Sequence, residues 1–215
     1  IKKQSKSNTL LLNGAFMTNA VIESPSTSAT GSAIYISSTK ASIDNSMFFG
    51  NLCYRNGGTV VLNSTHKTVI RRCVMSDNNY IPWGNTYNNN NAFGGILNNA
   101  GNLAVTNLLM AHNAGSTRGA IAVMGGTADI VNVTLVDNPY SGITAGGTAI
   151  VKVLNSIIWG NEVCGIEDKT SSGNGYSVSY SISYSFSSTA LTGFQESASG
   201  PYIPLILAMS LSEIP

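Results

Sequence analysis

The sequence predicts an all-β fold, a single-stranded right-handed parallel β-helix (a solenoid) of about six to seven rungs. Three observations predict it. Asparagines recur at Asn19, Asn51, Asn78, Asn113, Asn138 and Asn161 with a conserved set of offsets before each. Each unit opens on a Gly-rich step into apolar residues. No segment holds a 3.6-residue apolar period for three turns, so helices are excluded as the main element.

Counting back from each turn asparagine defines the elements. Eight residues before it stand Leu11, Ile43, Ile70, Val105, Ile130 and Val153, all aliphatic, and this column is expected inside. Three before it stand Phe16, Phe48, Met75, Met110, Leu135 and Ile158. Six before it stand Asn13, Asn45, Arg72, Asn107, Asn132 and Asn155. Asn tolerates left-handed backbone, so this column predicts a tight bend. If units stack, the amides of Asn13, Asn45, Asn107, Asn132 and Asn155 can bond one another as a structural ladder. Arg72 accepts no hydrogen bond, so it interrupts that ladder. Its guanidinium is expected to turn outward or to donate to carbonyls at the bend.

The steps GSAI at 31–34, GGTV at 57–60, GGIL at 94–97, RGAI at 118–121 and SGIT at 141–144 feed the next strands through sharp bends that glycine permits. Val, Ile, Leu and Thr dominate the strand positions, as a pleated surface favours. The turn asparagines are 32, 27, 35, 25 and 23 positions apart, so the bare unit is 23–25 residues and the excess is loop. One such unit cannot bury its own apolar face, and stacking units can. The β-helix is assigned to residues 1–189, with 190–215 as a C-terminal tail or cap. Apolar residues such as Ile203, Leu205 and Leu207 suit a cap over an open stack end.

Composition narrows the function. Only 10% of the 215 residues are charged and the formal net charge is +1. Neither balance points to nucleic acid or to an anionic membrane surface. No apolar run approaches the roughly 18–20 residues of a transmembrane helix. No secretory signal is visible, and the start at Ile1 reads as a mature or truncated N-terminus of a larger surface protein. Cys53, Cys73 and Cys164 are an odd count, leaving at least one free thiol and no disulfide framework.

GGTV, GGIL and RGAI, with Phe16-Met-Thr-Asn19 and Phe48-Phe-Gly-Asn51, resemble the GGAI and FxxN motifs of polymorphic outer-membrane protein repeats. NSIIWGN at 155–161 and VSYSISYS at 178–185 are similar to the last rungs of bacterial right-handed β-helix proteins. The resemblance covers about residues 10–186. It implies a bacterial secreted or cell-surface protein and no single activity, since this fold carries adhesins, lyases, glycosidases and passive stalks.

Two places suit chemistry. Immediately before the turn asparagines stand Gly50, Asp77, His112, Asp137 and Gly160. Stacking sets His112 between Asp77 and Asp137, an arrangement that suits a general acid or base, or a surface charge ladder. The longest unit carries an insertion over 79–93 with Tyr80, Trp83, Tyr87 and Phe93 among six asparagines. Aromatic faces beside amides suit sugar rings, and loops on rigid scaffolds carry function. Tyr80, Trp83, Tyr87 and the Arg118 of RGAI are the expected ligand-binding residues. Trp159 is read as packing. Asp44 and Arg71 share a column and read as an exposed ladder salt bridge. No cofactor is expected. Calcium is conceivable, but no acidic pair in adjacent rungs supports it.

Two functions follow. The favoured one is a non-catalytic module that binds a polysaccharide, surface glycan or protein partner, or serves as a stalk. The other is a carbohydrate-active enzyme, a lyase or glycosidase, with His112, Asp77 and Asp137 as its catalytic residues. The scarcity of charge favours the first.

Overall fold

A computed structural model describes residues 2–4, 10–18, 31–37, 39–53, 57–80, 95–113, 115, 118–170, 175–179 and 182–185. The tail assignment for 190–215 and the residues Asn19, Trp83, Tyr87 and Phe93 lie outside these.

The described residues are all-β, and every strand pairing among them is parallel. One seven-stranded sheet runs from Lys2–Gln4 through Gly31–Ser37, Gly58–Asn63, Ile96–Asn98, Ile121–Val123 and Ile143–Gly147 to Ile166–Thr170. It forms the first wall. The second and third walls belong to one 11-stranded sheet. In the middle repeats a single strand crosses both walls, as in Thr68–Ser76, Asn102–Ala111 and Thr127–Val136. In the outer repeats the same path is split, as in Ala41–Asp44 followed by Met47–Phe49. Successive repeats therefore lie beside one another at every wall.

The interior follows from the alternation of strand side chains. Ile34, Val60, Ile96, Ile121 and Ile143 stack in register on the first wall, each 0–1% exposed. Ile43, Ile70, Val105, Ile130 and Val153 stack on the second, each at most 2% exposed. Phe48, Met75, Met110, Leu135 and Ile158 stack on the third. All belong to one continuous core.

The bend between the second and third walls is made by backbone handedness. Asn45, Arg72, Asn107, Asn132 and Asn155 all have φ between 48° and 54°. Their side chains are exposed. Here the first repeat departs from the expected alignment by one residue. Leu12, not Leu11, pairs with Ile43, and Asn13 pairs with Asp44. Gly14, with φ 67°, takes the left-handed position. Leu11 is consequently 73% exposed, and Asn13 is not part of the bend column. The physical reason is that glycine adopts the left-handed bend as readily as Asn does, so a count anchored on Asn slipped by one.

Within this exposed column Asn155 Nδ2 donates to Asn132 Oδ1 at 2.6 Å. The continuous amide ladder runs elsewhere, through the turn asparagines themselves. Asn51 donates to Asn78 (2.8 Å), Asn78 to Asn113 (2.8 Å), Asn113 to Asn138 (3.3 Å) and Asn138 to Asn161 (2.8 Å), always Nδ2 to Oδ1. Each receiving Oδ1 also accepts the backbone N–H of the preceding asparagine. The second amide hydrogen of Asn51, Asn78, Asn113 and Asn161 reaches back to the carbonyls of Met17, Phe48, Met75 and Leu135. All five are at most 1% exposed. One buried amide thus ties three successive repeats and leaves no polar atom unmet.

Arg72 turns outward, as expected, with its side chain 57% exposed, and its partner there is a carboxylate. It donates through Nε (2.9 Å) and through an Nη to the carboxylate of Asp44, which also accepts Arg71 Nε at 2.9 Å. Desolvation opposes ionisation of Asp44, but the bonds from Arg72 and Arg71 outweigh it and hold the carboxyl below its ordinary value.

The glycine steps are used for close approach. A Cβ on Gly95 would lie 2.0 Å from the carbonyl oxygen of Ala120, and one on Gly142 would lie 2.8 Å from that of Gly165. All three cysteines are free thiols.

Candidate functional site

The strand register Ser76, Ala111, Val136 places the following residues Asp77, His112 and Asp137 in one column, with His112 central. Their φ values are 54°, 53° and 49°, and Gly50 and Gly160 continue the column at 64° and 65°. This is a second left-handed turn line. Gly, Asn, Asp and His are the residues that reach that conformation at least cost. The turn itself therefore accounts for these residue types. His112 Nδ1 lies 3.6 Å from Asp77 Oδ1, with side chains 59% and 45% exposed. Both side chains are thus open to solvent.

The aromatic insertion is fixed at its two ends. Asn79–Tyr80 pairs in parallel with Leu52–Cys53 at its start. The chain is back in the first wall at Gly95, whose carbonyl accepts Val60 N–H, while Ile96 N–H donates to the Ala120 carbonyl at 2.9 Å. That re-entry lies against Ala120, two residues along the chain from Arg118.

Arg118 belongs to a polar group that the stack assembles from three repeats. Gly119 N–H donates to Thr144 Oγ1 (2.8 Å), and that hydroxyl donates to Glu167 Oε2 (3.1 Å). Lys169 Nζ lies 2.9 Å from Glu167 Oε1. It also donates to the Tyr140 hydroxyl at 3.3 Å and sits 5.4 Å from the Tyr140 ring centroid. Burial pushes the Arg118 guanidinium down, against the pull of Glu167 and Tyr140. Desolvation also works against the Lys169 ammonium, but Glu167 and Tyr140 outweigh it and raise its pKa. Beside them Ser141 Oγ and Cys164 Sγ are 3.2 Å apart, and burial pushes the thiol up, away from the thiolate.

Of the expected ligand-binding residues, Arg118 is in this group, Tyr80 is placed by its backbone alone, and Trp83 and Tyr87 are outside the described residues. Tyr140, Thr144, Glu167 and Lys169 were missed by sequence reasoning. A signal existed: the column Ile121, Ile143 extends to Ile166, which sets Glu167 beside Thr144. Trp159, read as packing, instead projects from the third wall and is 46% exposed. Its neighbours in sequence explain this, since strand alternation sends Ile158 inward and its flanks out.

Among the described residues no three His, Cys, Asp or Glu side chains gather as a metal site, and no helix is long and apolar enough to cross a membrane. No family model matches the chain, and neither the curated proteins nor the solved structures compared with it include a match.

Proposed function

We propose that the chain is a right-handed β-helix from a larger bacterial protein, secreted or cell-surface, and that it acts as a non-catalytic module binding polysaccharide or a surface glycan. One observation carries this reading. Arg118, Tyr140 and Lys169 gather on the first wall next to the point where the aromatic insertion re-enters. Guanidinium, ammonium and phenol groups pair with sugar hydroxyls, and aromatic faces accept sugar C–H groups. The same geometry argues against catalysis there. Both oxygens of Glu167 already accept hydrogen bonds, and Cys164 is held as the thiol, so neither a base nor a nucleophile is poised.

The test is a polysaccharide panel on the whole chain, read for binding, for new reducing ends and for unsaturated-uronate absorbance. Trp83→Ala and Arg118→Ala should each weaken binding at least about tenfold, the loss of roughly 1.4 kcal/mol expected for an anchoring contact. His112→Ala should leave binding unchanged. Turnover that His112→Ala abolishes would establish the lyase or glycosidase reading instead. No ligand, together with unfolding by Trp83→Ala, would leave a stalk whose insertion is a structural lid.

A further inference from the structure

The small formal charge of the chain hides an uneven distribution. Among the described residues, 39–53 and 57–80 carry Lys40, Lys67, Arg71 and Arg72 against Asp44 and Asp77, a formal +2. Residues 118–170 carry three cations and five carboxylates, a formal −2. The four cations lie along the second wall and its bend. Ala41 pairs with Thr68, so the preceding Lys40 and Lys67 hold equivalent positions one strand apart, about 4.8 Å. Both are exposed, and neither has a carboxylate partner among the described residues. Four residues beyond Lys67, about 13 Å of strand, stands Arg71, followed by Arg72. Asp44, whose side chain is 10% exposed, holds both guanidiniums in place. Arg71 meets it through Nε, so its two terminal nitrogens remain for another acceptor. Ser42 and Val69 lie between the two cation pairs, and Ala104 and Thr106 extend this floor into the next repeat, all half-buried and uncharged. Like charges one strand apart destabilise a sheet, and an anion shared between them removes the repulsion.

We propose that this surface binds an acidic polysaccharide, one anionic group meeting Lys40 and Lys67 and another meeting Arg71. The kind of partner rests on the glycan-binding reading above, but the site is a separate one, on a different wall from Arg118. Charge complementarity selects the ligand. A chain bearing carboxylates or sulfates at intervals matches two cation pairs about 13 Å apart, and a fixed guanidinium takes either group through two parallel bonds. Single-stranded nucleic acid is held by stacking bases on aromatic side chains, and none stands among these residues. An anionic bilayer is held by basic residues together with apolar side chains that enter it, whereas Val69 is half-buried in the floor.

The test titrates the whole chain with polygalacturonate and heparin, a carboxylated and a sulfated probe, and with dextran as the neutral one. At least one acidic probe should bind, and more weakly as salt rises. Lys40→Gln with Lys67→Gln should weaken that binding at least about tenfold, and so should Arg71→Gln. Lys152→Gln, on the same wall among the acidic repeats, should leave it unchanged. Circular dichroism checks the fold. If Arg71→Gln loses its β signal, the lysine pair decides, because those side chains bond nothing among the described residues. Acidic probes that do not bind even at low salt overturn the proposal, as does an affinity that the lysine pair leaves unchanged. Polyglutamate, DNA or anionic vesicles bound as tightly through the same lysines also overturn it, because charge alone is then read. Dextran bound through Arg118 without either acidic probe would sink this site and leave the first-wall site standing. An acidic probe lost with the lysine pair and indifferent to Arg118→Ala supports this site and counts against the first-wall one.

Discussion

Four of the repeats turn twice on asparagine, and the two turns use it for opposite reasons. At the bend between the second and third walls, Asn45, Asn107, Asn132 and Asn155 are left-handed and exposed. The backbone conformation is what selects them. At the next turn, Asn51, Asn78, Asn113, Asn138 and Asn161 are buried, and the left-handed strain is taken by the residue just before each of them. There the side-chain amide is selected, because it satisfies polar atoms of three repeats in a place water does not reach. The same residue type therefore marks a replaceable position and an irreplaceable one within six residues.

Breaking the buried ladder should have the largest effect. Asn113→Ala removes the acceptor of Asn78 Nδ2 and the donor to Asn138 and to the Met75 carbonyl. Leaving such groups buried and unmet costs about 1–3 kcal/mol each, so a loss of at least about 3 kcal/mol is expected. Thermal denaturation should show a fall of about 10 °C in Tm. An effect no larger than that of a surface substitution would dissolve the distinction between the two turns.

The exposed bend should respond chiefly to handedness, because the amide bond from Asn155 to Asn132 there is open to solvent. Asn132→Ala forces a Cβ-bearing residue without a polar side chain into φ 53° and should cost about 1–2 kcal/mol. Asn132→Gly, which adopts that conformation freely, should stay within about 0.5 kcal/mol of the parent. Equal losses for Ala and Gly, compared by urea titration, would mean that the amide and not the backbone matters there.

The smallest effect is expected at the odd member of the bend. Because the folded-state pKa of Asp44 is lowered, the stability it contributes is present above its ordinary value of 3.8 and is lost as pH falls through the folded value. Arg72→Asn should therefore lower Tm slightly at pH 7. The gap should narrow as pH falls below 3.8 and close only below the lowered folded value, where the carboxyl takes up its proton. A gap independent of pH would show that Arg72 acts through packing.

Much of the architecture was legible in the spacing. The aliphatic column from Ile43 to Val153 and the apolar column from Phe48 to Ile158 are consequences of alternation within a repeated unit, and alternation is local. The first repeat slipped because Gly14 and Asn13 are equally credible bend residues, and only pairing with Asp44 separates them. Which asparagine column is buried was not legible either. Both columns read Asn in an apolar setting, and the direction of a side chain at a turn depends on the φ of its neighbour.

The candidate site divides the same way. Asp77, His112 and Asp137 fall in one column from spacing alone, whereas their exposure, which decides what they can do, belongs to the turn geometry. Arg118, Tyr140, Thr144, Glu167 and Lys169 come from three repeats and converge because stacked parallel strands place equivalent positions about 4.8 Å apart. By itself, then, the sequence determined the period, the inward columns and the left-handed turns, since each is a property of one repeat. The burial of the amide ladder and the assembly of the polar group on the first wall were decided by tertiary structure, because each is a relation between repeats and exists only once they are stacked in register.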